Sequence, residues 1–285
     1  MSDPEIHRRL LFHIAYRMLG RVTEAEDMVQ ETMLRWHRED RSDILEPQAW
    51  LTTTITRLCI DQLRLARRQR EEYVGVWLPE PILGEASGDP FAEAALADSL
   101  GMAFMLLLEE LSPVERAVFL LREAFGHDYE TIAVIVGKSE ASCRQMVSRG
   151  KTRLGRATER SPTATEEAER LVREFFQATQ TGELADLLAL LTDDAVLYSD
   201  GGGKVRAALL PIQGPDRIAR MFIGLRRFQT DGPAPLHFVR INGSPGVLTR
   251  GSDGNANAMT LALENGKVKA VYIVRNPDKL AGVNL

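Results

Sequence analysis

Between Gly137 and Arg156 the chain sets Ser142, Arg144, Gln145, Ser148, Arg149 and Lys151 on successive turns of one helix-like segment that opens at Ser139. Arginine and glutamine hydrogen-bond base edges in a major groove. Serine, Lys151, Arg153 and Arg156 suit phosphate oxygens. A second cationic set, Arg57, Arg64, Arg67 and Arg68 with Asp61 among them, repeats at helical spacing and offers the same phosphate chemistry. For both sets the alternative is a solvated basic face on a packing helix. Asp194, Tyr198, Asp200, His237 and Arg240 fall on strand-like runs, where they would form an acid–base or ligand-binding group only by converging within hydrogen-bond reach. The chain has no GxxxxGK, HExxH or GxSxG, and its five histidines include no i,i+4 pair. No catalytic residue, cofactor or metal site is therefore expected.

The elements that must carry these residues are legible from caps and periodicity. Thr23 and Glu26 form a capping-box pattern ahead of Ala25, Val29, Thr32 and Trp36, and Asp27, Gln30 and Glu31 share the opposite face. A helix from about Pro47 would bury Leu51, Ile55, Cys59, Leu63 and Ala66, leaving the arginines on one exposed stripe. Prolines 79 and 81 forbid a helix through Val76–Pro81, so residues 74–90 read as a linker. Helical spacing resumes at Phe91. Ser112-Pro113-Val114-Glu115 then supplies an N-cap, a first-turn proline and a capping glutamate. Asp128 caps a short helix over Tyr129–Val136, Gly137 ends it, and Ser139 caps the basic helix from Glu140 to about Arg156. Helix, glycine turn, short helix, glycine turn and basic helix have helix-turn-helix proportions.

After a polar hinge at Ser161–Thr165, Thr163 and Glu166 can cap a helix over Glu167–Thr181. A short helix (Gly182–Leu191), a strand (Ala195–Ser199) and a helix (Asp216–Phe228) come next. The runs Leu236–Ile241, Gly246–Arg250, Ala256–Leu263 and Val268–Val274 follow, with Asn242-Gly243, Asp253-Gly254 and Asn265-Gly266 as turn formers. That order describes an α+β domain.

With 285 residues, 44% hydrophobic, the chain is long enough for several domains, and no apolar run approaches the roughly 20 residues of a bilayer span. No export signal is visible at the amino terminus, and Cys59 and Cys143 sit apart in apolar patterns. The expectation is a cytoplasmic protein with reduced thiols and no membrane partner. The net charge of −5 conceals blocks: five arginines against one acid over residues 57–70, seven acids with no Lys or Arg over 74–112, and seven bases against two acids over 138–160. Two basic surfaces flank an acidic tether, and residues 161–285 carry equal numbers of each sign.

The run Leu111-Ser112-Pro113-Val114-Glu115-Arg116-Ala117-Val118-Phe119-Leu120-Leu121-Arg122, then Tyr129-Glu130-Thr131-Ile132-Ala133 and Ser148-Arg149-Gly150-Lys151, resembles region 4 of extracytoplasmic-function (ECF) sigma factors. Upstream, Glu24–Glu31, Ala49-Trp50-Leu51 and Asp61-Gln62-Leu63-Arg64 resemble region 2. The resemblance implies that Asp27, Gln30 and Glu31 dock on core RNA polymerase. It places Arg57, Asp61, Arg64, Arg67 and Arg68 at the −10 promoter element, with Trp50 among the aromatics that stack on unpaired bases. The basic helix, through Ser142, Arg144, Gln145, Ser148, Arg149 and Lys151, would read the −35 element. Many relatives carry a basic residue where this chain has Met146, so fewer −35 contacts are expected. The family's linker threads the path of nascent RNA, which suits a polyanionic segment.

The C-terminal element order resembles the SnoaL-like cone. Trp77-Leu78-Pro79-Glu80-Pro81, Asp200-Gly201-Gly202-Gly203-Lys204 and Asn276-Pro277-Asp278-Lys279-Leu280 are similar to motifs of the ECF subgroup bearing this extension. That resemblance implies regulation in cis, with Trp77, Leu78, Pro79, Asp200, Gly201, Gly202, Gly203, Lys204, Asn276, Pro277, Asp278 and Lys279 between linker and extension. The expected architecture is multidomain: all-α region 2 (1–73), an acidic linker (74–90), all-α region 4 with its helix-turn-helix (91–160), and an α+β SnoaL-like domain (161–285). The expected function is promoter-specific transcription initiation with core polymerase, with a small ligand conceivable in the C-terminal pocket. The competing reading is a ligand-binding or catalytic SnoaL-like protein carrying a DNA-binding arm.

Overall fold

The computed structural model describes residues 4–38, 44–84, 101–154, 165–227 and 232–283. The chain divides into two compact units, one of Met1–Glu72 with Phe104–Glu159 and one of Tyr73–Ala103 with Arg160–Leu285.

The first unit is helical. α1 (Arg8–Leu19), α2 (Val22–Arg38) and α3 (Pro47–Glu71) pack on one another, and α5 (Pro113–Glu123), α6 (Tyr129–Val136) and α7 (Glu140–Leu154) follow the seven-residue α4 (Met102–Leu108). Leu51, Ile55, Cys59 and Leu63 of α3 are buried as their spacing predicts, while the side chain of Ala66 lies outside the described residues. α2 opens at Val22, so Thr23 and Glu26 occupy its first turn and do not form the expected box ahead of it. The helix expected from Phe91 is described only from Met102 onward. Ser112 does cap α5, accepting from the Glu115 amide while the Glu115 carboxylate accepts from the Ser112 amide at 3.0 Å. Those hydrogen bonds hold the Glu115 carboxyl below its ordinary range.

The two helical segments expected as separate regions share this unit, because α5 and α6 pack against α3 and α5 also packs against α1. Arg116, 3% exposed, crosses the seam to donate to the Met18 carbonyl at 2.8 Å and to Glu109 at 2.9 Å. Burial lowers its pKa to about 9, so it stays cationic at neutral pH.

The second unit is built on one sheet of order β1-β4-β5-β6-β7-β2-β3. Its strands are β1 (Leu83–Gly84), β2 (Leu191–Asp200), β3 (Ile212–Gln213), β4 (His237–Ile241), β5 (Ser244–Arg250), β6 (Ala256–Glu264) and β7 (Lys267–Val274). β2 and β7 run parallel, and every other pairing is antiparallel. Asn242-Gly243 and Asn265-Gly266 have positive φ at both positions, the backbone that type I′ hairpins need. α8 (Thr165–Thr181), α9 (Leu184–Leu190) and α10 (Pro215–Arg226) supply the helices. α8 begins two residues before the predicted start, and Thr163, its expected cap, lies outside the described residues. Phe175 and Phe176 pack edge-to-face at 5.3 Å, Phe222 stands 5.6 Å from Phe175, and Leu197, Ile218 and Val271 join them in the buried core. The helix–helix–strand–helix–sheet order is the one expected of a SnoaL-like α+β domain.

The domain boundaries need one correction. Residues 73–84 are not a separate tether: they belong to the C-terminal unit, and β1 extends its sheet by pairing Leu83 with Ile241 and Gly84 with Arg240. An edge strand presents unpaired backbone groups, and here the linker covers them.

Candidate nucleic-acid interface and linker clamp

α5, α6 and α7 form the predicted helix-turn-helix around Val118, Leu121, Ile132, Ile135, Cys143 and Val147. Asp128 caps α6 by accepting from the Thr131 amide at 2.7 Å, Gly137 ends it with φ +64°, and the Ser139 hydroxyl accepts from the Ser142 amide at 3.2 Å. The left-handed turn at Gly137 favours a residue without a Cβ. Gly150 serves close packing, since a Cβ there would stand 2.8 Å from the Phe119 ring. Along α7, Arg144, Gln145, Ser148, Arg149 and Lys151 are exposed and Ser142 is half-buried. Arg144 pairs with Glu140 and stacks on the Tyr129 ring at 4.7 Å, which fixes its guanidinium at the helix's opening turn. Lys151 meets Glu123 at 2.7 Å.

On α3, Arg57, Asp61 and Arg64 are exposed, and Arg64 pairs with Asp61 at 2.9 Å. Arg67 and Arg68 lie on the same helix, but their side chains are outside the described residues. Arg57 turns toward α6, donating from Nε to the Ile135 carbonyl at 2.8 Å and from Nη2 to the Val134 carbonyl at 3.0 Å. It thereby satisfies carbonyls at the negative end of a helix dipole. A cleft of about 300 Å³ is lined by Arg35, Arg38, Trp50, Thr53, Thr54 and Arg57. Trp50 stands edge-on to Trp36 at 5.5 Å. Sequence reading missed Arg35 and Arg38, although both are basic residues in the last turn of α2. Asp27 and Gln30 are exposed on α2, and Glu31 is half-buried and pairs with Arg35 at 2.7 Å.

The three motifs of the second unit meet in one place. Asp200, 0% exposed, and Lys279, 2% exposed, form an ion pair at 2.7 Å. The Leu78 amide donates to Asp200 Oδ2 at 2.9 Å, and Lys279 Nζ donates to the Leu78 carbonyl at 2.5 Å. The pair thus holds both backbone groups of one linker residue. Asp200 Oδ1 accepts from the Gly202 amide at 3.0 Å and from the Tyr73 hydroxyl at 2.5 Å, while Asn276 Nδ2 donates to that hydroxyl at 2.9 Å. The Lys279 ammonium lies 4.4 Å over the Trp77 ring and 5.1 Å over the Tyr73 ring. Leu78 and Pro79 are buried.

Around this pair the turns are tight. Gly202, φ +59°, leaves no room for a Cβ, which would fall 2.3 Å from Asn276 Nδ2, and Gly203 abuts Val74. Gly201 starts the turn by accepting from the Lys204 amide at 3.0 Å. Lys204 pairs with Asp278 at 2.5 Å, and Pro277 opens the 3-10 turn that presents Lys279. Four residues beyond Leu78 a second two-point grip occurs: the Ile82 amide donates to Asn242 Oδ1 at 2.7 Å and the Ile82 carbonyl accepts from the Asn242 amide at 2.8 Å. Tyr73 and Asn242 were invisible as site residues, one reading as the end of a basic helix and the other as a turn.

The polar strand residues do not converge. Asp194 is exposed and pairs with Lys269, Tyr198 stacks on Tyr272 at 5.4 Å, His237 is exposed, and Asp200 holds the linker. Arg240 lines a cleft, with Glu169 at 3.1 Å. Among the described residues no group of His, Cys, Asp or Glu could hold a metal ion, and no helix is long and apolar enough to cross a membrane.

A helix-turn-helix with an exposed cationic third helix and a second arginine-bearing helix define a helix-turn-helix protein, joined to an α+β domain that grips the linker. Residues 5–69 match the Sigma-70 region 2 family and residues 101–154 match Sigma-70, region 4. The ECF RNA polymerase sigma factor SigJ of Mycobacterium tuberculosis is 35% identical over 99% of this chain and 93% of its own length. The probable ECF RNA polymerase sigma factor SigI of that organism is 31% identical over 96% and 92%. The crystal structure of M. tuberculosis SigJ superposes with a TM-score of 0.80 at 32% identity, covering 98% of this chain and 97% of that one. The chain belongs to the ECF RNA polymerase sigma factors. It is a transcription initiation factor, not an enzyme, and works with RNA polymerase on promoter DNA.

Proposed function

We propose that α3 and α7 read the −10 and −35 promoter elements while the C-terminal domain controls the factor in cis by gripping the linker. Gln145 and Arg149, exposed near the middle of α7, are the base readers; Ser142, Arg144, Ser148 and Lys151 steady the phosphates. Arg57, Asp61, Arg64, Arg67 and Arg68 of α3 meet the −10 element. Asp27, Gln30 and Glu31 form the polymerase-facing surface of α2. The protein acts where RNA polymerase acts, in the cytoplasm.

The observation that carries the cis-regulatory reading is the buried Asp200–Lys279 pair, which holds Leu78 by its amide and its carbonyl. A fully desolvated pair held by further hydrogen bonds is conditional: it is favourable while complete and costly once one member is lost. A linker fixed this way is withheld from the path it takes on polymerase. Run-off transcription with core polymerase tests this, comparing the native chain with D200N and G202A. Raised basal output, with the linker newly open to protease, is expected. A protease-sensitive linker with unchanged output would refute regulation through the clamp.

A further inference from the structure

We infer that the cleft between α8 and the β4–β5 hairpin is a binding site for a small planar monocarboxylate, and that its occupancy is coupled to the linker strand. The cleft encloses about 350 Å³ and is lined by Glu169, Val172 and Arg173 of α8, Phe238, Val239 and Arg240 of β4, Pro245 and Gly246 of β5, and Gly84 of β1. Val172 of the lining belongs to the core cluster of Phe175, Phe176 and Phe222, and Phe238 packs against it, so the cleft abuts that core.

Its chemistry selects one ligand class. Val172, Phe238, Val239 and Pro245 give an apolar wall. The Arg173 guanidinium lies 4.6 Å over the Phe238 ring, so a flat cation and a flat ring already stack at the rim. Arg240 is 23% exposed, donates to the Gly243 carbonyl at 3.1 Å and meets Glu169 at 3.1 Å. Two arginines against one glutamate leave the cleft a net cation beside apolar surface. Glu169, 43% exposed, is itself a carboxylate on the Arg240 fork and marks the position a ligand carboxylate would take. Apolar walls with few polar anchors suit a one- or two-ring body carrying one carboxylate.

The coupling follows from the register. Gly84 pairs with Arg240 across the β1–β4 ladder, so the residue whose side chain anchors the ligand holds the linker by its backbone. Filling the cleft packs against Gly84 and stabilises β1 on the sheet edge. This coupling alone rests on the cis-regulatory reading; the binding itself does not.

Isothermal titration of the full chain with 2-naphthoate, its neutral analogue 2-naphthylmethanol and inorganic phosphate tests the site without polymerase or promoter. Saturable one-to-one binding of naphthoate is expected, with the alcohol and phosphate each weaker by about tenfold or more. R240Q should abolish binding. E169Q, which removes the internal competitor from an exposed helix face, should strengthen it and so keeps the test sound should R240Q fold poorly. Amide exchange at Ile82–Gly84 should slow when naphthoate binds the native chain. Absence of saturable naphthoate binding, equal binding of phosphate, or no gain in E169Q would overturn the site. Binding without any change in exchange would overturn the coupling and leave run-off control by the clamp to be judged by its own assay.

Discussion

Arg57 donates from Nε to the Ile135 carbonyl at 2.8 Å, so an arginine of α3, the helix proposed to meet the −10 element, is occupied in capping α6 of the helix-turn-helix. Two of its five N–H donors serve helix carbonyls, and the others stay open to a DNA phosphate on the exposed side. R57A should therefore lower the stability of the free chain by about 1–2 kcal/mol, the range for a charged hydrogen bond partly open to water. It should also weaken promoter binding by the polymerase complex and flatten the salt dependence of that binding by about one counterion. R57K should keep most of the salt slope while losing the two-carbonyl cap. Denaturant titration and promoter-binding anisotropy across a salt series measure the two effects separately.

Asp200 and Lys279 make a sharper prediction, because neither reaches solvent. K279M leaves a buried carboxylate that retains only its donors from Leu78, Gly202 and Tyr73, and a loss of about 3–5 kcal/mol is expected. The double variant D200N/K279M should lose less than the sum of the two single changes, since no uncompensated charge remains. Thermal or denaturant unfolding of the four proteins gives the cycle directly.

Stability and reading should separate within the helix-turn-helix. S112A removes one half of a capping box and should cost about 1 kcal/mol with promoter preference unaltered. Q145A and R149A change exposed side chains, so stability should stay within about 0.5 kcal/mol. If they read bases, discrimination at one promoter position should fall by about 1–3 kcal/mol each. Melting curves beside a −35 substitution series decide between these outcomes.

Acid should weaken the helical unit before its carboxylates are protonated. Burial, with Arg17 and Arg9 nearby, lowers the His13 pKa from 6.5 to about 4. Between those values the unfolded chain binds a proton at this histidine that the folded chain refuses, so stability falls as pH drops from 6.5 toward 4. The Glu115 and Asp128 carboxyls, both held below their ordinary range by hydrogen bonds, contribute at lower pH. H13Q should reduce the first part of the slope in a pH series of denaturant midpoints, His127, also lowered by burial, keeping the remainder, and should leave the second part in place.

The helix-turn-helix was the most legible part of the chain because local rules fix it. Ser112, Asp128, Gly137 and Ser139 each act within a few residues of themselves, and each does what its type dictates. The type I′ turns at Asn242-Gly243 and Asn265-Gly266 were readable for the same reason. The linker clamp was readable only through motif resemblance. Its partners Tyr73 and Asp200 stand 127 positions apart, and no periodicity links a tyrosine at a helix end to an aspartate at a strand end. β1 was unreadable altogether: Leu83-Gly84 has no strand signature, and the edge of β4 makes it a strand. Whether Asp194, Tyr198, Asp200, His237 and Arg240 converge was not legible, because alternation along strands gives which residues share a face but not which faces enclose a space.

Because Leu78 and Ile82 are held through main-chain groups, the segment 73–84 owes its shape to a surface supplied by residues more than a hundred positions later. Cutting the chain after about residue 160 would therefore not subtract an appendage and leave a simpler factor behind. It would strip the covering from Leu78 and Pro79 and leave the donors and acceptors of that stretch to water. The truncated protein would differ from the native one as much in its newly bared tether as in its missing domain.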